Sequence, residues 1–251
     1  MIQHGPERLQ EAAASAAGSD SWFGPLLTVQ EVLRPEPFGR LADYDPCAVD
    51  GLARMARYVA EFLTAGHAQL GRSGAVCPFA AAAAELGLIR LTACSAAVGD
   101  EAAITQGMNQ LRRALAELEP DPKPDDAPSH RAIVAVFPAL SEPAGARLIE
   151  RIQKALKASF VENRLMIGQF FPSCSEPGLW NRDFRPLQSP VISLAIRNIT
   201  IFDAPFMLER AEYAEAFVRI FGEAGRKRIA KAARDYGHAG EGARAGAALK
   251  H

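Results

Sequence analysis

The sequence predicts an α/β or α+β protein, a single mixed sheet of about four or more strands flanked by helices, and three observations carry that expectation. Short runs at Leu88–Cys94, Ala132–Phe137, Leu165–Phe171 and Val191–Ile201 are rich in β-branched or aromatic residues, as buried strands are. Between them apolar residues recur at helical spacing, first Ile104, Met108, Leu111, Leu115 and Leu118, then Leu148, Ile149, Ile152, Leu156 and Phe160. The two patterns alternate as strand, helix, strand, helix, strand, long loop, strand, helix. One sheet accommodates all of them.

In chain order, residues 1–45 read as an N-terminal arm and strap. The alanine-rich start has a weak apolar face and is interrupted by Gly18-Ser19-Asp20-Ser21, so it is expected to be loosely held. From Trp22 to Tyr44, Pro25, Pro35 and Pro37 impose extended or turn geometry, and Trp22, Phe23, Leu26, Leu27 and Phe38 anchor a strap across the domain surface. Residues 46–236 are expected to form a single α/β-type domain. Asp45-Pro46 opens its first helix, because a carboxylate accepts from unpaired N–H groups and proline needs no donor there. Leu52, Met55, Ala56, Val59, Phe62 and Leu63 give residues 46–65 one core face, and Gly66 ends them. His67 then caps the helix or faces water rather than ligating a metal or haem.

Cys77-Pro78-Phe79 precedes a short helix at Ala80–Leu86, which leaves the thiol at the start of a helix where unpaired N–H groups favour thiolate. A small buried apolar thiol is the competing reading. Asp100-Glu101 and Ser141-Glu142-Pro143 start the next two helices, and Pro120–Pro128 is a solvated loop. Asp203 and Pro205 begin a helix packed through Phe206, Tyr213, Phe217 and Phe221. Past Gly222 comes a basic helix, Arg226–Arg234, and then a flexible tail at 237–251.

With 28 basic and 29 acidic side chains the net charge is -1, so no bulk field attracts nucleic acid or an anionic membrane. No run approaches the ~18–20 apolar residues of a membrane span, and the N-terminus lacks signal-peptide character, so a cytoplasmic address is expected. Cys47, Cys77, Cys94 and Cys174 are scattered without CxxC spacing, which favours reduced thiols over a disulfide framework or structural zinc. Nucleotide, dinucleotide, zinc-protease and hydrolase-elbow signatures are absent. The five histidines are too dispersed to suggest a metal cluster or triad.

The chemistry concentrates between the last two expected strands. There Cys174, Trp180, Asn181, Arg182, Asp183 and Arg185 are interleaved with Pro172, Pro177, Pro186 and Pro190. A loop of about nineteen residues exceeds the usual connection, and such loops are functional or disordered; prolines and aromatics argue for function. A lone cysteine serves as nucleophile, redox thiol or axial haem thiolate. Arg182 and Arg185 suit bidentate capture of a carboxylate or of haem propionates, or else Arg185 clamps loop carbonyls and Asp183. Trp180 stacks on a ligand or plugs the core.

The element Cys77–Ala84 (CPFAAAAA), the run Leu165–Pro172 (LMIGQFFP) and Pro177–Asp203 (PGLWNRDFRPLQSPVISLAIRNITIFD) together resemble a bacterial domain family found near natural-product biosynthetic genes. That family carries a CPF element and a later PGLxNxxFRPLxSP element, over roughly residues 70–210. More distantly, the order of elements is similar to the YqcI/YcgG family, which includes haem-dependent enzymes that hydroxylate guanidine nitrogens. The resemblance implies a haem-dependent oxygenase or peroxygenase acting on a nitrogen-containing small molecule. Cys174 would be the axial metal ligand and Cys77 the second choice. Pro78, Phe79, Phe171, Trp180, Arg182 and Arg185 would contact haem, and Arg185 and Asp183 would act in catalysis. Relatives place histidine where this chain has Phe171, Trp180 and Asn198. The alternative is a non-catalytic small-molecule-binding or accessory protein. The partners expected are a small-molecule substrate and a second copy in a homodimer, with no nucleic acid and no membrane.

Overall fold

Asp45 does what its position dictates: its Oδ1 accepts the Cys47 and Ala48 N–H groups at 2.8 and 3.0 Å and Pro46 occupies the first helical position. The computed structural model describes residues 22–94, 99–118 and 130–236. The arm at 1–21, the loop Pro120–Pro128 and the tail 237–251 lie outside the described residues. The fold is α+β, a five-stranded mixed sheet flanked by helices. By contacts the chain divides into two compact units, one comprising residues up to Gln153 with Gly168–Arg197 and the other Lys154–Ile167 with the residues from Asn198 onward.

The first unit holds most of the sheet. Strand β1 (Leu27–Thr28) runs antiparallel to β2 (Ile89–Ala93), β2 parallel to β3 (Ala132–Val136), and β3 antiparallel to β5 (Ser193–Asn198). With β4 (Leu165–Phe170) the order is β1-β2-β3-β5-β4, so the last strand inserts beside β3. Alternate residues share a face. Ile89, Leu91 and Ala93 of β2 join Ala132, Val134 and Val136 of β3 in one apolar cluster. Against them pack α1 (Val29–Leu33), α2 (Pro46–Arg57) and α3 (Pro78–Glu85). Helix α4 (Glu101–Glu117) buries Ile104, Met108, Leu111 and Leu115, as their spacing predicts, and meets β3.

Residues 22–45 depart from the expected surface strap. Leu27, Val29 and Val32 are buried, and Leu27 pairs with Leu91 as an extra edge strand. A capping box explains the short helix: Glu31 N–H donates to Thr28 Oγ1 at 3.1 Å, and Thr28 N–H donates to Glu31 Oε2 at 2.6 Å. Burial alone would raise the Glu31 carboxyl, but the hydrogen bonds from Thr28 and Arg40 outweigh it and hold its pKa below the usual range. A carboxylate depressed in the folded state adds stability above its unfolded pKa and loses it as pH falls. The stability gap between wild type and Glu31→Gln is therefore expected to shrink as urea unfolding is repeated from neutral toward acid pH. A gap that widens in acid would contradict the capping role.

In the second unit, α5 (Ala144–Glu162) contributes its last residues and α6 (Ala211–Tyr236) its whole length, broken at Gly222 with φ 57°. The break falls where the sequence separates the apolar helix from the basic one. Residues 201–207, expected to divide between strand and helix, form a 3-10 turn instead. Asp203 dictates this, its buried carboxylate accepting the Thr200 N–H at 2.7 Å and hydroxyl at 3.1 Å. Met207, Ala214, Phe217 and Ile229 form the core of this unit. Among the described residues no helix is long and apolar enough to cross a membrane.

Candidate functional site

Helix α2 does not end as an α-helix. Residues Tyr58–Leu63 widen into a π turn. The Thr64 hydroxyl donates to the Ala60 carbonyl at 2.7 Å, the acceptor its own N–H would use in an α-helix, and that N–H reaches the Val59 carbonyl at 3.3 Å instead. Turns of this kind occur mostly inside helices and often at functional sites. Here the turn aims Tyr58 and Phe62 at the segment that follows β4. Tyr58 stacks on Phe62 with centroids 5.1 Å apart and meets Phe170 edge-on at 6.4 Å.

The segment from 171 to 192 is fastened along its length by side chains that donate to its carbonyls. The Tyr58 hydroxyl donates to the Pro186 carbonyl and Arg54 to the Pro190 carbonyl, each at 2.5 Å. Arg185 donates to the Arg182 carbonyl and, at 3.2 Å, to the Phe184 carbonyl. Asn181 Nδ2 donates to the Gln69 carbonyl at 2.8 Å, while its Oδ1 accepts the Asp183 N–H at 3.0 Å. The bond to Gln69 ties the segment to the 65–76 loop, where Gly71, at φ 78°, leaves little room for a side chain: a Cβ would sit 3.2 Å from the Trp180 carbonyl group.

Each residue singled out in the sequence now has a place. Cys174 is fully buried, and burial is the main cause that raises its thiol pKa, opposed by a hydrogen bond from the Glu176 main chain. Cys77 is half-buried and caps α3, its Sγ accepting the Ala80 N–H at 3.4 Å, with exposed Pro78 at the first helical position. Phe79 does not join the loop; its half-buried ring lies beneath the Arg197 guanidinium at 4.8 Å and beside His130 at 5.3 Å. Phe171 is buried, its N–H on the Leu187 carbonyl at 3.3 Å. Arg182 and Asp183 are exposed, and among the described residues no ion pair joins Asp183 to Arg185. Trp180, 60 % exposed, is not the core plug the sequence allows. The anchor is Phe184, which is 5 % exposed.

Two residues take places that the sequence reading did not give them. Tyr58 is a buried phenol whose pKa burial pushes up, and both Cys174 and Cys77 lie close enough for their charge to push in the same direction. His67 stacks on Phe184 with centroids 4.8 Å apart. Its Nδ1 accepts the Gln69 N–H at 3.2 Å, which puts the imidazole proton on Nε2 and leaves no lone pair there for a metal. No sequence signal identifies either, because each is placed by the π turn and the loop that meets it.

As arranged, these residues do not fit haem. Cys174 is sealed from solvent, Arg185 is turned onto its own loop, and His67 presents a proton rather than a lone pair. Among the described residues no group of three or more His, Cys, Asp or Glu is placed to hold a metal ion. A family model described as a domain of unknown function, DUF6875, matches residues 52–232, which span the π turn, the clamped loop and most of α6. No curated protein and no solved structure matches the chain.

Proposed function

We propose, on the premise that the chain belongs to the DUF6875 family, that it is a non-catalytic small-molecule-binding or accessory protein of a cytoplasmic biosynthetic pathway. One observation carries the reading. The side chains best suited to chemistry around the 171–192 loop, Tyr58, Arg54, Asn181 and Arg185, direct their donors at main-chain carbonyls, so the loop is held for shape. Donors taken up by main-chain carbonyls in this way fasten a segment and leave little polar capacity for a reacting group.

A second reading keeps one point in its favour, that both candidate thiols act electrostatically on Tyr58. It is the haem-dependent oxygenase or peroxygenase that oxidises a nitrogen-containing small molecule in natural-product biosynthesis. A thermal-shift screen of the whole chain against haem, flavins and small amines separates the two, because a ligand that binds only the folded state raises the melting temperature. The binding reading expects stabilisation by a small molecule and none by haem. Haem stabilisation with a Soret band that Cys174→Ala or Cys77→Ala alters would overturn it.

A further inference from the structure

Residues 67–70 hold the tip of the clamped segment by three contacts. The His67 ring stacks on Phe184 with centroids 4.8 Å apart, buried Leu70 joins the small apolar cluster of Phe184, and the Gln69 carbonyl accepts Asn181 Nδ2 at 2.8 Å. The last two depend on the single 3-10 turn Ala68–Leu70, which presents Gln69 and Leu70 to the segment. A turn this short has little stability of its own. Its cap is the His67 side chain, whose Nδ1 accepts the Gln69 N–H at 3.2 Å, the part that Asn, Asp or Ser plays at the start of a helix.

The base of the 65–76 loop is fastened without the imidazole. Val76 N–H donates to the Ala65 carbonyl at 2.7 Å and Cys77 N–H to the Leu63 carbonyl at 2.8 Å. The Arg72 guanidinium donates to the Ser73 and Ala75 carbonyls, each at 2.8 Å. His67 therefore serves the 67–70 corner alone.

A histidine differs from the usual caps in one respect: it is the side chain whose charge ordinarily changes between pH 5 and 8. An imidazolium carries a proton on both nitrogens and has no acceptor left. Protonation at Nδ1 therefore sets one N–H against the Gln69 N–H, and the cap is lost. The stack does not oppose this, because a ring face attracts a cation as well. The charged and titratable groups on the surrounding elements are Tyr58 and Glu61 of the π turn, Arg72 of the loop, and Cys174, Glu176, Arg182, Asp183 and Arg185 of the segment. Tyr58, Arg72 and Arg185 are turned onto main-chain carbonyls, and among the described residues no hydrogen bond or ion pair joins any of these groups to the imidazole. His67 itself is exposed, so protons reach it.

We propose that His67 is a pH-sensitive latch on the 171–192 segment. Neutral, it caps the 68–70 turn and so holds Asn181 and Phe184; protonated, it lets the turn go and the tip of the segment loosens. The latch concerns how the segment is held rather than what it takes up, so it stands or falls apart from the binding reading above.

The test is an NMR titration of the whole ¹⁵N-labelled chain from about pH 8 to about pH 5, with amide hydrogen exchange corrected for the intrinsic effect of pH. The Gln69 amide is expected to shift with the same midpoint as the His67 ring resonances. Protection at Gln69, Gly178 and Phe184 should fall roughly fivefold across the titration, the scale of one hydrogen bond, while β2 and β3 amides keep theirs. His67→Asn retains a capping acceptor that does not titrate, and should hold the neutral-pH protection throughout. His67→Ala removes the cap and should show the low protection throughout; if it does not fold, wild type and His67→Asn decide. A Gln69 amide that stays still while His67 titrates would overturn the latch, as would a His67→Asn variant that keeps the wild-type pH dependence. Protection lost equally at β2 and β3 would also overturn it, since acid would then be loosening the sheet rather than this corner.

Discussion

Phe184→Ala is expected to lower the unfolding free energy by about 3 kcal/mol, the low end of the range for a buried phenylalanine. The low end applies because the apolar cluster beneath it is small, Leu70 and Val76 with the flanks of Phe62 and Leu63, and such a site partly collapses. The ring meets Phe62 at 6.1 Å and His67 at 4.8 Å. Its main chain closes the loop as well, the carbonyl accepting the Gly178 N–H at 2.8 Å and the N–H donating to the Asn181 carbonyl at 3.2 Å. Loss of the ring should therefore free the loop before it unfolds the sheet. Hydrogen exchange ought to show protection lost at Gly178 and Phe184 while β2 and β3 amides keep theirs. A destabilisation under about 1 kcal/mol, with loop protection intact, would mean that the clamps alone hold the segment.

Cys174 should react with a thiol reagent on the order of a hundredfold more slowly than Cys47 in the native protein, and at a similar rate in urea. Cys47 is exposed, and its Sγ lies 3.9 Å from the Pro138 carbonyl. Cys174 is fully buried and its thiol is pushed up, so both access and thiolate fraction limit it. Buried Cys94 is an internal control for access alone. Mass-spectrometric timing of alkylation at each cysteine gives the ratio. Native reactivity of Cys174 matching Cys47 would restore it as an accessible ligand and favour the haem reading.

Much of the frame was legible because it depends on local pattern. The apolar spacing at Ile104, Met108, Leu111 and Leu115 marks a buried helix face, and Asp45-Pro46 and Gly222 act at the positions where their chemistry places them. The prolines at 25 and 35 misled, since they limit local geometry but do not prevent Leu27 from pairing with Leu91 between them and the sheet. The 3-10 turn at 201–207 was hidden for a related reason: an apolar run reads as strand until a buried aspartate claims the N–H groups at its start.

The density of cysteine, arginine and tryptophan between β4 and β5 located a segment of consequence, but not what its side chains do. Arg185 illustrates the gap, because a guanidinium in sequence is equally a ligand clamp and a carbonyl clamp, and only the path of the chain around it chooses. By itself the sequence determined strands β2 to β5, the long helices and the Asp45 cap, all set by neighbours within a few residues. The tertiary structure alone decided that β5 inserts beside β3, that a π turn brings Tyr58 against Pro186, and that Cys174 is sealed from solvent. The physical reason is distance along the chain: burial and hydrogen bonding at these residues come from partners far away in sequence, and no local periodicity encodes them.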